Sequence, residues 1–243
     1  MKNILIVGAS GHGGMVLDCI NKKGQYNVLG FIDSFKKKGS KKYGLEVLGT
    51  ELDLPWLVWR LDIQGVIIAI GNNWTRKIMV DKINTICPLL EMVTVVHPSA
   101  IIGMGVKIGK GTVIAPGAII NANSQLGDHC ILNTNSSLGH DGIMEDFSSI
   151  SSGVCTGGNL MLGKYSAISL GANVIENISI GKHSLIGAGS LVIKNVASYS
   201  LTYGSPARFI RKRKTGDAYL NGDANCGQSY AVHNETNKKS YVQ

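Results

Sequence analysis

The stretch "VHPSAIIGMGVKIGKGTVIAPGAII", Val96 to Ile120, carries a large aliphatic residue at every sixth position: Val96, Ile102, Ile108, Ile114 and Ile120. The same register runs on through Leu126, Leu132, Leu138, Met144, Ile150, Thr156, Leu162, Ile168, Val174, Ile180, Ile186 and Val192. Fifteen of these seventeen positions are Ile, Leu or Val, so the period is a property of the whole stretch. The next residue is Gly in eight of the hexads, among them Gly103, Gly109, Gly127, Gly163, Gly181 and Gly187. Four places after each aliphatic position the side chain is usually small, as at Ala100, Thr112, Ala118, Ser124, Ser136, Ser148 and Ser166.

One amphipathic helix cannot satisfy this pattern. Six residues turn a helix through about 600°, so successive aliphatic residues would fall on three different faces. In extended chain, residues i and i+4 point to the same side. The register therefore predicts short strands, each turning one aliphatic and one small side chain inward, joined by tight turns. Such fixed short periods mark parallel β-helices, in which stacked coils share one core.

The first 90 or so residues read differently. "NILIVGA" predicts a buried strand, "GHGGMVLDCINKKG" a helix stopping at Gly24, and "YNVLGFID" a second strand. "VIIAIGN" predicts a further strand, and "WTRKIMVDKINTIC" a helix ended by Pro88. Alternating strands and helices imply a parallel sheet with crossover helices. Three regions follow: a small Rossmann-like α/β domain over 1–90, an all-β parallel β-helix over 91–210, and a polar tail over 211–243 expected to be mobile.

Composition agrees. The chain has 243 residues, 44% hydrophobic but only 6% aromatic, with 31 glycines, which suits tightly wound β structure. The net charge of +8 is concentrated in "KKKGSKK" (Lys36 to Lys42) and "RFIRKRK" (Arg208 to Lys214). Phe209 is the one aromatic in the two runs and neither matches a nucleic-acid-binding motif, so both are read as solvated loops, with no nucleic acid as partner. The five cysteines show no metal-ligand spacing, so no metal site is expected and a reducing compartment fits. No apolar run is long enough to insert in a membrane, and the expected location is cytoplasmic.

"GASGHGG" follows a strand and opens a helix, a setting in which backbone N–H groups and the helix dipole favour phosphate. One reading is a dinucleotide site with Asp33 on a ribose. The spacing of Gly8, Gly11, Gly13 and Gly14 departs from GxGxxG. Ordinary turn chemistry is the other reading.

Register also sorts the histidines. His97 follows an aliphatic position by one residue, and His129 and His183 by three. His140 alone follows by two, after Leu138, at a turn where an outward side chain is expected. A histidine suits the general base of a reaction that must deprotonate an attacking amine or hydroxyl. The bland alternative is a surface turn histidine.

Taken together, "VGASGHGG", "FID", "AIGNN" (Ala69 to Asn73), "HPSAIIG", "ILNTNSSLGHD" and "GSPAR" (Gly204 to Arg208) carry a resemblance. The chain resembles the hexapeptide acyltransferases with a left-handed β-helix, three hexads to a triangular coil. Within them it resembles bacterial nucleotide-sugar N-acetyltransferases of the bacillosamine and perosamine type, and the related sialic-acid O-acetyltransferases. The resemblance covers roughly residues 3 to 210.

The resemblance implies acetyl-CoA as co-substrate and a nucleotide-linked 4-amino-4,6-dideoxy sugar as acceptor, for surface glycan assembly. It implies His140 as base, Asp141 as its acidic neighbour and Asn133 near the acceptor. Ser10, Gly11 and His12 would lie near sugar and phosphates, and Asp33, Ser34 and Gly71 near the nucleoside. Ser34 stands where relatives often have a second acid. CoA contacts would fall to Ser149, Leu170 and Ala188, with Ser149 replacing a histidine of some relatives. Gly158, eighteen residues after His140, would leave room for a thioester and offer a backbone donor. The family forms a homotrimer with active sites between subunits, and the same is expected here. O-acetylation of a sialic-acid-like sugar, or nucleotide-sugar binding without catalysis, are the competing functions.

Overall fold

The computed structural model describes residues 1–219. The amino-terminal sheet contains β1 (Lys2–Val7), β2 (Tyr26–Ile32), β3 (Lys41–Lys42), β4 (Leu45–Gly49), β5 (Gly65–Ile68) and β6 (Glu91–Met92). Its strand order is β3-β4-β2-β1-β5-β6. All pairs are parallel except the β3–β4 hairpin. Helices α1 (Gly11–Lys23), α2 (Leu54–Leu61) and α3 (Asn73–Ile86) pack on it. Helix α1 ends where Gly24 takes φ of 65° and donates its N–H to the Ile20 carbonyl. The charge run over 36–42, expected as loop, ends in the short strand β3. Helix α2, "LPWLVWRL", escaped the sequence reading: Leu54, Leu57, Val58 and Leu61 stand at helical spacing and pack against β5 and α3, but Trp56 and Trp59 make its outer face apolar as well.

From Val95 onward the hexads become seventeen two-residue strands, β7 (Val95–Val96) to β23 (Leu191–Val192), one every six residues. Each of the first fourteen pairs in parallel with the strand eighteen residues later, giving three faces. The first face holds β7, β10, β13, β16, β19 and β22; the second, β8 to β23; the third, β9 to β21. The chain is an α/β domain followed by a left-handed parallel β-helix. Aliphatic register positions and the small residues four later, such as Ala118, Ser124, Ser136 and Ser148, fill the prism. Several of the small ones satisfy neighbouring backbone: Ser124 Oγ donates to the Gly139 carbonyl at 2.8 Å, and Ser166 Oγ to that of Gly181 at 2.6 Å.

The corners demand left-handed backbone, and each corner meets the demand differently. After the third face the residues His129, Phe147, Tyr165, His183 and Tyr199 have φ between 55° and 63°. Their rings stack at successive centroid distances of 4.9, 5.7, 4.6 and 4.9 Å. A left-handed residue other than Gly costs about 1–2 kcal/mol, and an aromatic pair returns about 0.5–1.5 kcal/mol, so the ladder offsets much of its strain. After the second face the column is Asn123, Asp141, Asn159 and Asn177, residue types that tolerate this conformation.

The two domains share a core. On the first face the outward residues Val95, Val113 and Ile131 are apolar and pack against Ile4, Ile6, Val16 and Ile20. Buried at the junction is Arg76, on α3, whose five N–H groups are all used. Nε donates to the His129 carbonyl (2.9 Å) and Nη1 to those of Ile70 (2.8 Å) and Gly71 (2.9 Å). Nη2 donates to Asn73 Oδ1 (2.7 Å) and the Phe147 carbonyl (3.2 Å). Asn73 in turn donates to the Ser166 carbonyl at 3.0 Å. Trp74 meets the ladder edge-on at Tyr165, 5.4 Å away.

The last hexad gives way to a hairpin of β24 (Ser200–Gly204) and β25 (Ala207–Lys212), antiparallel to each other and added to the first face. The run "RFIRKRK", expected as a solvated loop, is mostly strand: pairing with β24 holds it to Lys212, and Arg213 is buried. Residues 213–219, expected as part of a mobile tail, pack back on the protein. Arg213 Nε donates to the His183 carbonyl (3.2 Å) and Nη2 to that of Asp217 (2.6 Å). The rest of the tail lies outside the described residues.

Replacing Arg76 with Ala leaves the carbonyls of Ile70, His129 and Phe147 without their donor, while that of Gly71 keeps Tyr219. Unfolding free energy should fall by about 3 kcal/mol in denaturant titrations. An unchanged midpoint would mean that the junction does not depend on this guanidinium.

Candidate active site

His140 occupies the corner after the second face, with its side chain 63% exposed. Its Nδ1 lies 2.7 Å from Asp141 Oδ2. Adjacent residues reach each other because Asp141 is left-handed, with φ of 56°. The same geometry would suit Asn, and the column above and below is Asn. Asp differs in carrying charge, and the hydrogen bond from His140 holds its carboxyl below the usual range, aided by Asn123. A proton held at Nδ1 by the carboxylate leaves the Nε2 lone pair free to act as a base.

Gly158 sits directly on the next coil. A Cβ there would lie 2.5 Å from Cε1 and Nε2 of His140. The space left by the missing side chain, expected to admit a thioester, is filled by the imidazole itself. The Gly158 carbonyl accepts from Asn177 N–H at 2.9 Å, which fixes the peptide beside Nε2.

The remaining histidines of the described residues are structural or belong elsewhere. His129 and His183 are ladder members, and burial pushes the His129 imidazole down to about 4. His97 bonds Ser99 Oγ at 2.7 Å through Nδ1.

His12 lies at the start of α1 and faces a second place. A cleft of about 170 Å³ is lined by His12, Gly71, Ile131, Asn133, Ser149, Ser151 and Tyr219. Burial, then the Arg76 charge, push the His12 imidazole down to about 4, so it is neutral near pH 7. Its Nε2 is buried with no partner among the described residues. A neutral, unpaired imidazole nitrogen beside an amide and three hydroxyls suits a polyhydroxylated ligand.

A third cleft opens at the carboxyl ends of β1, β2 and β5, where ligands of open parallel sheets are received. Ser10, Asp33, Ser34, Phe35, Glu51 and Gly71 are among its walls. Gly71 is common to this cleft and the previous one. Both Asp33 oxygens already accept backbone N–H groups, from Ala9 and from Phe35, each at 2.8 Å. Gly11 is exposed at the first turn of α1. Sequence reasoning missed Glu51. Its carboxylate bonds the Ser34 hydroxyl and Lys82, placing in space the acid that residue 34 lacks. Burial raises its pKa, but the bonds from Lys82 and Ser34 outweigh this and hold it low. Only the capping pattern around Thr50 and Asp53 marks that turn in the sequence.

The structure thus divides the expected residues. His140, Asp141 and Gly158 share one corner of the prism. His12, Gly71, Asn133 and Ser149 share the cleft where α1 meets the first face. Leu170 and Ala188 are exposed, one coil apart, at the corner after that face. Among the described residues no cluster of His, Cys, Asp or Glu is placed to hold a metal ion, and no helix is long and apolar enough to cross a membrane.

Gly158→Ala should push the His140 ring off its seat, shifting its Cε1–H resonance while the melting midpoint stays within a degree or so of wild type. An unmoved resonance would show that the imidazole does not rest on Gly158.

Residues 3–83 match the PglD N-terminal domain. Among curated proteins, the UDP-N-acetylbacillosamine N-acetyltransferase of Bacillus subtilis (strain 168) is 34% identical over 118 residues, 46% of this chain. That alignment spans only 50% of the relative. Among solved structures, PerB from Caulobacter crescentus, in complex with CoA and GDP-perosamine, superposes with a TM-score of 0.80 at 27% identity. It covers 87% of this chain and 98% of PerB. The acetyltransferase domain of PglB from Neisseria gonorrhoeae FA1090, with acetyl coenzyme A, gives 0.79 at 28% identity, covering 86% and 99%. The chain thus carries a PglD-type amino-terminal domain and shares its overall fold with PerB and the PglB acetyltransferase domain.

Proposed function

We propose that the protein transfers the acetyl group of acetyl-CoA to the amino group of a nucleotide-linked 4-amino-4,6-dideoxy sugar, for surface glycan assembly. The observation that carries this reading is the exposed His140–Asp141 pair seated on Gly158. The bacillosamine and perosamine enzymes supply the substrate class.

His140 Nε2 removes a proton from the amine as its nitrogen attacks the thioester carbonyl. Asp141 holds Nδ1 and stabilises the imidazolium that forms. The carbonyl oxygen becomes an oxyanion, for which the Gly158 N–H is the proposed donor. Collapse re-forms the carbonyl and expels the CoA thiolate, which takes the proton back from His140. The nucleotide is assigned to the cleft of Asp33, Ser34 and Glu51, and the sugar to that of His12 and Asn133. Leu170 and Ala188 are assigned to CoA, and Ser149, which lines the same cleft as His12 and Asn133, to the sugar.

One chain alone does not assemble this site. Asn133 and His140 stand on the same coil but at opposite ends of the second face. At about 3.3 Å per extended residue that side is on the order of 15 Å long, more than the two side chains can span. The base must therefore meet the acceptor cleft of another copy, and a ring of three copies with sites between them satisfies every subunit alike. The assembly is proposed to be a homotrimer, working in the cytoplasm, where acetyl-CoA is made.

Thiol release from acetyl-CoA, measured with UDP-, GDP-, dTDP- and CMP-linked amino sugars, tests the activity. At least one should be consumed, and His140→Ala should lower turnover by about a thousandfold with the fold intact. Normal turnover in that variant removes His140 from the role of base.

A mixing experiment tests the shared site. His140→Ala subunits and Asn133→Trp subunits, each inactive alone, are unfolded together and refolded. Random reassembly should restore roughly one quarter of wild-type activity if each site draws on two chains. No recovery would place the whole site within one chain.

A further inference from the structure

The segment after β25 carries no role in the reaction described above, yet it runs into the cleft lined by His12 and Asn133. From Arg213, tied to the His183 carbonyl at the foot of the aromatic ladder, the chain climbs toward the junction. Asp217 is fixed by Arg211 at 3.1 Å and by Lys214 N–H at 3.1 Å. Gly216 lies against the Trp74 ring and has φ of 83°, so its backbone passes where a side chain would collide. Tyr219 then enters between the two domains. Its hydroxyl donates to the Gly71 carbonyl at 3.1 Å and stands 3.2 Å from Ser149 Oγ. With the phenol proton on Gly71, the serine hydroxyl is the donor of the second bond.

Ser149 by itself is too short to reach across the cleft to Gly71. The phenol bridges that gap and becomes a wall of the same 170 Å³ space that His12 Nε2 faces unpaired. We infer that Tyr219 is a specificity-determining residue of the acceptor pocket, supplied by a strap of residues 213–219 that the β-helix repeat does not encode. The inference rests on the proposed sugar site and adds a residue to it. The ligand it meets is the pyranose ring of the acceptor, since the neighbouring groups are an imidazole, an amide and two serine hydroxyls rather than the cationic groups a phosphate would draw. Because the phenol holds position by two hydrogen bonds, removing its oxygen loosens the wall, and removing the ring opens it.

The test uses steady-state kinetics on full-length Tyr219→Phe and Tyr219→Ala and on a chain ending at Lys214, with the best nucleotide amino sugar from the screen. KM for the sugar should rise about threefold in Tyr219→Phe and about tenfold in the other two. Turnover number and KM for acetyl-CoA should stay within about twofold, and melting of Tyr219→Ala should match wild type. An unchanged sugar KM overturns the inference. So does a lowered one, which would make the strap an obstacle the sugar displaces, or a rise confined to acetyl-CoA, which would put Tyr219 in the donor site. Wild-type protein that acetylates none of the sugars would instead overturn the proposed function, and the inference with it.

Discussion

Every feature of this protein depends on the eighteen-residue stacking of one coil on the next. A two-residue strand offers too few hydrogen bonds to persist alone. Stacked in register, each strand lends its N–H and C=O groups to the coils on either side, and the aliphatic column inside becomes continuous. The price is steric: each corner must turn through left-handed backbone. Asparagines, glycines and an aromatic ladder meet that demand at the three corners. Register also decides chemistry. It sets the His140 imidazole above a residue with no side chain, so a small change of spacing would move the ring from its seat.

The amino-terminal domain solves a problem that the β-helix cannot. An uninterrupted prism has shallow faces and nothing that encloses a ligand. Docking of α1 and α3 on the first face makes walls, and Arg76 holds the two units together through carbonyls rather than through a carboxylate. A guanidinium buried among neutral acceptors keeps its cost of desolvation, which burial expresses as a lowered pKa. Five hydrogen bonds with fixed directions set the relative orientation of the two units. Gly71 ties these features together, since its carbonyl serves Arg76 and Tyr219 while its position borders both clefts.

Much of this architecture was legible in the residues because periodicity is a direct imprint of burial. The seventeen register positions became seventeen strands, and the separation of His140 from His129 and His183 by register matches one exposed ring and two stacked ones. What escaped was whatever depends on contacts between distant parts of the chain. Helix α2 has no polar face to betray it. Glu51 looks like a cap residue until it meets Ser34, seventeen positions earlier. The basic run after Gly204 has the charge of a loop, but pairing with β24 makes it a strand. Tyr219 stands in a polar segment with no pattern at all, and only the fold brings it to Ser149, seventy residues away. The reach of Asp141 to its neighbour was hidden for another reason: a left-handed φ is a backbone property that sequence spacing does not display.

The hairpin that ends the β-helix bears on how the protein survives at high concentration. A stack of parallel coils is an open template, and its exposed edge could accept the edge of another molecule without limit, as in a fibril. On the first face, β25 runs antiparallel to β24 and so presents a hydrogen-bonding pattern that does not continue the parallel winding. It also places Arg208, Arg211 and Lys212 along the exposed strand, where like charges on an approaching copy repel. The basic run thus works as a gatekeeper, favouring a finite assembly over end-to-end polymerisation.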